Sequence, residues 1–150
     1  LLINLPSIKI FYVKTNLEMK EAVEASFKKA DCYISSAAIG DIEFDIKNQK
    51  IKKSDLSESL HITKAADILK GILEIKRIDQ KVVGFAAETD LSESLMQEKQ
   101  ARKPVDLLVG TKVNNGLTGG ELQGFATEKA SYLFLENNKF LSKELNKEEL

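Results

Sequence analysis

The 150-residue chain is poor in the residues that usually declare a site. It has one cysteine, Cys32, so no internal disulfide can form, and a four-cysteine zinc site is excluded. It has one histidine, His61, which excludes histidine-rich metal sites and most serine or cysteine triads unless that residue is the base. No apolar run approaches the length of a bilayer span. Neither sign of charge is in excess: 22 Lys+Arg stand against 23 Asp+Glu, for a net charge of -1. This balance argues against a general nucleic-acid binder and against a membrane-surface protein. There is no P-loop lysine motif, no G-x-G-x-x-G fingerprint, no internal repeat and no low-complexity segment.

What is present is the composition of one globular domain, with 43% hydrophobic and 30% charged residues. The first residue is Leu1 and no signal-peptide pattern follows. The expectation is therefore a single domain over 1–150 that is a piece of something longer.

Strand-like and helix-like segments alternate. Ile8 to Val13 is an apolar run suited to a strand. Thr15 and Glu18 have the spacing of a capping box, and Met19, Ala22, Val23 and Phe27 follow at helical spacing. Asp31 to Ile39 reads as a buried strand ending in small residues, with Cys32 as an inert core thiol. The charged stretch Asp41 to Ser59 reads as a flap or extended arm. Ala65 to Lys76 predicts a helix, Lys81 to Ala87 a strand, and Asp90 with Glu93 a further helix start. That helix stops near Lys103, because Pro104 disfavours helical geometry in the residue before it. Val105 to Val109 predicts a strand. Ser131 to Leu135 and Phe140-Leu141, split by Asn137-Asn138, predict a hairpin, with a short helix in the last charged residues. The pattern implies an α/β fold: a Rossmann-like, mostly parallel sheet flanked by helices, with an extended flap and a C-terminal β-hairpin. Ligands of such sheets bind beyond the carboxyl ends of the strands, here after Ile34, Phe85 and Val109.

Each candidate residue has two readings. Ala37 and Ala38 either let a ligand approach the backbone or simply pack, and Asp41 either accepts hydrogen bonds from a ligand or shapes a turn. Lys50, Lys52 and Lys53 either close over an anion or keep a strand edge soluble. Phe85 either stacks on a base or fills the core. Lys99 and Lys103, four apart, either hold phosphates as point charges or suit a helix C-terminus. His61, in a β-like triplet, reads as a half-buried or surface residue.

Taken in order, these segments resemble one family, phosphopantothenate–cysteine ligase, usually the C-terminal half of the bacterial bifunctional coenzyme A biosynthesis flavoprotein. Asn4-Leu5-Pro6 and Leu17-Glu18-Met19 match its N-L-P and L-E-M, and Ser36 to Asp41 is similar to its A-A-V-A-D. Lys50 to Lys53 equals its K-I-K-K, Asp67-Ile68-Leu69 is similar to its P-D-I-L, and Val83 to Thr89 is its most specific segment, intact. Lys99 and Lys103 precede Asp106-Leu107 at the family's paired-lysine spacing.

The resemblance implies ligation of 4'-phosphopantothenate with L-cysteine through an acyl-nucleotidylate, with CTP as co-substrate and Mg2+. It implies that Asp41, Lys50, Ala65, Ala66, Asp67, Ile68, Phe85, Lys99 and Lys103 contact the nucleotide, and that Ala37 and Ala38 lie beside the acyl-nucleotidylate. Lys50 is the implied catalytic residue, on a flap over the reacting centre; the metal ligands are not identified. It further implies a cytoplasmic homodimer, with FMN only on a fused flavin-binding decarboxylase domain, if one precedes. No nucleic acid or membrane partner is implied.

The sequence also departs from the family. The upstream glycine-rich strand-loop-helix unit is absent from these residues. N-P-D-I is Ala65-Ala66-Asp67-Ile68, A-N-D is Gly110-Thr111-Lys112, and G-F-x-S-D-N is Gly124 to Lys129. The alternative reading is a non-catalytic nucleotide-binding or dimer-assembly module. A dinucleotide-dependent oxidoreductase, suggested by fold class alone, lacks its fingerprint.

Overall fold

A computed structural model describes residues 7–44, 61–114 and 128–150. Helix α1 (Asn16–Phe27) starts where the capping box predicts. Thr15 Oγ1 accepts the Glu18 N–H at 3.1 Å, and the Glu18 carboxylate accepts the Thr15 N–H at 3.3 Å. Two of the helix's orphan donors are thus satisfied within four residues. Met19, Val23 and Phe27 turn towards the core, and Phe27 is buried.

Five strands form the main sheet in the order β1 (Cys32–Ser35), β4 (Lys81–Glu88), β5 (Leu107–Lys112), β6 (Lys129–Glu136), β7 (Lys139–Asn146). The β1–β4 and β4–β5 pairings are parallel, and β5–β6 and β6–β7 are antiparallel. Four of the five strands therefore run the same way, with β6 the exception. A separate antiparallel ribbon pairs β2 (Ile42–Phe44) with β3 (Ile62–Lys64). It forms the base of the expected flap; residues 45–60, including Lys50, lie outside the described residues. So do Asn4 to Pro6 and Gly124 to Thr127.

Helix α2 (Ile68–Ile75) packs beside α1 and buries Ile68 and Ile72. It begins three residues later than the apolar spacing predicts, because Asp67 serves as its N-cap and accepts the Lys70 N–H at 3.0 Å. Helix α3 (Glu93–Arg102) is capped by Ser92, not Asp90: Ser92 Oγ accepts the Leu95 N–H at 3.3 Å. It lies over β5 and β6 with Met96 fully buried. Gly110 makes this seating possible. A Cβ there would stand 2.6 Å from Leu91 Cδ1 and 2.7 Å from Met96 Sδ.

Four sequence expectations are corrected. Ile8 to Val13 forms no strand among the described residues. The segment has no ladder partner among those residues, and its apolar side chains are exposed, up to 92% at Tyr12. β1 is shorter than predicted and is an edge strand, so Ile34 is 60% exposed and Cys32 is an exposed thiol, not a core one. β5 starts at Leu107, not Val105, because the preceding residues form a tight connection in which the Val105 N–H donates to Lys103 O at 2.9 Å. The C-terminal helix is absent. β7 runs on to Asn146, and a turn follows in which the Glu149 N–H donates to Asn146 O at 3.0 Å. The hairpin stands as predicted but longer. Asn137 and Asn138 take the positive φ angles of 49° and 59° that a tight two-residue turn demands.

At the amino ends of the parallel strands, polar groups bind the elements together. Gln80, 1% exposed, donates from Nε2 to Phe27 O at 2.6 Å and to Ala30 O at 2.7 Å, and its Oε1 accepts the Arg77 N–H at 2.9 Å. Asp106 accepts the Val82 N–H at 2.8 Å and pairs with Lys76 at 3.0 Å and Lys81 at 3.4 Å.

Candidate functional site

The carboxyl ends of β1 and β4 open into a cavity of about 590 Å³. Its walls are the Ser35 to Asp41 loop after β1, the Lys64 to Leu69 segment that enters α2, and Gly84 to Glu88 at the end of β4. Thr111 on β5 and the C-terminal end of α3 complete it. The loop after β1 turns tightly, with the Ile39 N–H donating to Ala37 O at 3.1 Å. The Ala65 N–H donates to Asp41 O at 2.9 Å and draws the first two walls together.

Ten of the eleven residues singled out from sequence line this one cavity. They are Ala37, Ala38, Asp41, Ala65, Ala66, Asp67, Ile68, Phe85, Lys99 and Lys103. Lys50 falls outside the described residues. Ala65 and Ile68 are buried, so what they offer a ligand is chiefly backbone at the entry to α2. Phe85 is half-buried on the cavity wall. His61 is exposed beside β3 and does not line the cavity.

The two lysines reach the cavity from different positions. Lys99 is in the last turn of α3, whereas Lys103 is its C-cap, already out of helical geometry. Each is ion-paired across the cavity wall. Lys99 Nζ lies 2.6 Å from Glu88 Oε1 on β4, and Lys103 Nζ lies 2.8 Å from Asp67 Oδ2 at the head of α2. Burial pushes the Asp67 carboxyl upward. The hydrogen bonds from Lys103 and from the Lys70 N–H, with the charges of Lys103 and Lys64, outweigh this and hold it below the usual aspartate value. Asp67 is thus anionic at neutral pH, with both oxygens engaged.

Sequence reasoning missed Glu88 and Arg102 as cavity residues. Arg102 had a signal, since it adds a third cation to the helix end that carries Lys99. Glu88 had one in its place within the intact Val83 to Thr89 segment, though nothing there names its partner. Its partner lies eleven positions on in sequence, and only the fold brings them together.

Chemically, the cavity offers cations on one wall and small residues on the facing loop, with an aromatic ring between β4 and the opening. That set suits an elongated anion carrying a planar group. Among the described residues no three His, Cys, Asp or Glu side chains cluster as a metal site. A magnesium ion held by one carboxylate and the oxygens of a bound phosphate needs no such cluster, and Asp41 is available at the rim.

Residues 2–150 match the family described as the DNA/pantothenate metabolism flavoprotein C-terminal domain. The coenzyme A biosynthesis bifunctional protein CoaBC of Escherichia coli K12 is 33% identical over 137 residues, covering 88% of this chain and 32% of that relative's length. The chain therefore spans about a third of that protein. In fold it is similar to the DNA/pantothenate metabolism flavoprotein of Streptococcus pneumoniae, with a TM-score of 0.72 at 15% identity over 95% of this chain and 69% of the other. It is also similar to the C-terminal domain of a CoaBC protein, with a TM-score of 0.59 at 22% identity over 89% of this chain and 54% of the other. With the family matched along nearly its whole length, the chain belongs to the DNA/pantothenate metabolism flavoprotein C-terminal domains.

Proposed function

We propose that this domain ligates 4'-phosphopantothenate to L-cysteine in coenzyme A biosynthesis, using CTP. The substrate carboxylate attacks the α-phosphorus of the nucleotide, forming an acyl-nucleotidylate and releasing pyrophosphate. The cysteine amine then attacks the acyl carbon, and the acyl–oxygen bond breaks to release CMP and leave an amide. Magnesium carried on the triphosphate would offset its charge during the first step.

The chain's own residues divide the work. Lys99 and Lys103 hold the phosphates and stabilise charge that builds during displacement. Ala37 and Ala38 leave the loop after β1 low enough for the acyl-nucleotidylate to lie against its backbone. Phe85 stacks on the base, and Asp41 with the Ala65 to Ile68 backbone fixes the nucleoside. Lys50, in the stretch between β2 and β3, is the catalytic residue of this reading. Ordering both substrates in one cavity supplies proximity, and covering them protects an intermediate that water would destroy. The reaction is placed in a cytoplasmic homodimer. The apolar Ile42, Phe44 and Ile62, exposed on the ribbon, supply surface that a second copy can cover. FMN has no role in this cavity and enters only if a flavin-binding decarboxylase domain is fused to this one.

One observation carries the proposal: residues spread from 37 to 103 in sequence, matched to the ligase family motif by motif, meet in one cavity with two paired cations on its wall. Calorimetry of magnesium–CTP and magnesium–ATP against this chain and Lys99→Ala tests it. CTP binding that Lys99→Ala weakens about tenfold is the expected result. A blank titration would be repeated on a chain extended to the length of the CoaBC relatives, with pyrophosphate release measured alongside. A second blank overturns the ligase reading and leaves the assembly module.

A further inference from the structure

We infer that Glu88 is a positioning residue, one that holds the Lys99 ammonium at the cavity wall in the place where it meets the nucleotide phosphates. The inference rests on the nucleotide reading of the cavity and names a residue that reading does not require.

A lysine on a helix end is a poor fixed charge. Its four-carbon stem samples many rotamers, and a phosphate must overcome that entropy if the ammonium starts free in water. Glu88 removes that freedom beforehand. Its carboxylate lies 2.6 Å from Lys99 Nζ, and both side chains are largely shielded, at 26% and 29% exposure. The i,i+4 pair of Lys70 with Glu74 on α2 is far more open, at 68% and 66%, and such pairs contribute little.

Both ends of the Glu88–Lys99 pair are on rigid supports. Glu88 closes β4: it stands opposite Lys112 in the β4–β5 register, and its carbonyl accepts the Val113 N–H at 2.8 Å. Lys99 is carried by α3, which is seated by the buried Met96 over Gly110. The ammonium has three N–H donors, and one carboxylate oxygen engages one of them, which leaves donors for a phosphate. The neighbouring pair differs in this respect. Asp67 is committed to α2 as its N-cap and already lies within the proposed nucleotide contacts, whereas the Glu88 carboxylate has Lys99 as its ion-pair partner and caps no helix.

Glu88→Ala, Glu88→Gln, Lys99→Ala and the double variant Glu88→Ala/Lys99→Ala separate positioning from simple charge. The probe is magnesium–CTP by calorimetry, with thermal unfolding measured in parallel. Glu88→Ala is expected to weaken binding roughly five- to tenfold. Glu88→Gln keeps an acceptor for the ammonium and stays within about threefold of the parent. In the Lys99→Ala background, Glu88→Ala adds nothing, because the residue acts through Lys99. Tighter binding in both Glu88 variants would make the carboxylate a mere competitor for the cation and overturn the inference. So would a Glu88→Ala loss that persists in full without Lys99.

A second readout is independent of the nucleotide. The rate of Lys99 acetylation by a small reagent, followed by mass spectrometry, is expected to rise at least about threefold in Glu88→Ala. If neither the parent chain nor the extended chain binds nucleotide, the reading of the cavity fails, while an unchanged acetylation rate separately overturns the hold of Glu88 on Lys99.

Discussion

The two ends of the parallel strands carry the same kinds of charged residue and use them differently. At the amino ends, Asp106 is bound by a backbone N–H and two lysines, and the buried Gln80 bridges the end of α1 to the start of β4. Those groups accept or donate to main chain, so they fix how elements join. At the carboxyl ends, Glu88 and Asp67 bind lysine side chains across a cavity. Those pairs can exchange a partner without breaking a strand or helix. The difference teaches that a polar atom serves the fold when its partner is backbone, as Asp67 Oδ1 does in capping α2, and is available for a ligand when its partner is a long side chain facing the cavity, as at Asp67 Oδ2 and Glu88.

Substitutions can break this contrast, and the largest effect belongs to the amino end. Gln80→Ala takes the Nε2 donor from the Ala30 carbonyl and leaves the Phe27 carbonyl with the longer bond from the Ala30 N–H at 3.2 Å, and should cost about 3 kcal/mol in urea unfolding. Nucleotide affinity of the folded fraction should stay unchanged. Asp106→Ala comes next, at about 2 kcal/mol, since the Val82 N–H loses its acceptor and Lys76 its partner. A cavity-end substitution should show the reverse. Lys103→Ala should move unfolding by under about 1 kcal/mol, because its pair is 41% and 31% exposed. In calorimetry it should weaken magnesium–CTP roughly tenfold. An equal loss of stability from Lys103→Ala and Asp106→Ala would erase the distinction between the two ends.

The smallest effect is in pH, where both ends share a sign. Burial works to raise the Asp106 carboxyl, but the Val82 N–H and the Lys76 and Lys81 ammonium groups hold it below the usual aspartate value, as the lysines and the Lys70 N–H do for Asp67. A carboxyl lowered in the folded state contributes stability above the unfolded value near 3.8, and loses it as pH falls through the folded value. Thermal unfolding followed downward from pH 7 should therefore stay level on this account until below about pH 4 and then drop. In Lys103→Ala the Asp67 share of that drop should shrink, whereas the Asp106 share should remain.

Legibility in the sequence followed range. The capping box of Thr15 and Glu18, the Asn137-Asn138 turn and the stop before Pro104 depend on neighbours a few residues away, and all three are where spacing predicts them. The apolar run Ile8 to Val13 looked like a strand because it has the side chains of one. A strand also needs a ladder partner, and no local pattern reports whether one is present. The cavity was located by the rule of strand carboxyl ends and by the family motifs, which together placed Lys99 and Lys103. The pairings were not legible: Asp67 was named from its motif and Glu88 lay within the Val83 to Thr89 segment, but only the crossing of α2, β4 and α3 joins them to Lys103 and Lys99.

The bond from the Ala65 N–H to Asp41 O, with the β2–β3 pairing just above it, closes the chain on itself. Phe44 and Ile62 stand opposite each other in the ribbon, so the two described ends of this stretch lie side by side. Seen from the sheet, the gap between those ends has almost no span, so the register of β1 against β4 does not depend on how much chain joins them. Doubling such a loop adds only about 0.6 kcal/mol of closure entropy. Chain can thus be added between β2 and β3 without disturbing the strands on either side, and a foreign peptide inserted there should leave the five-stranded sheet in place.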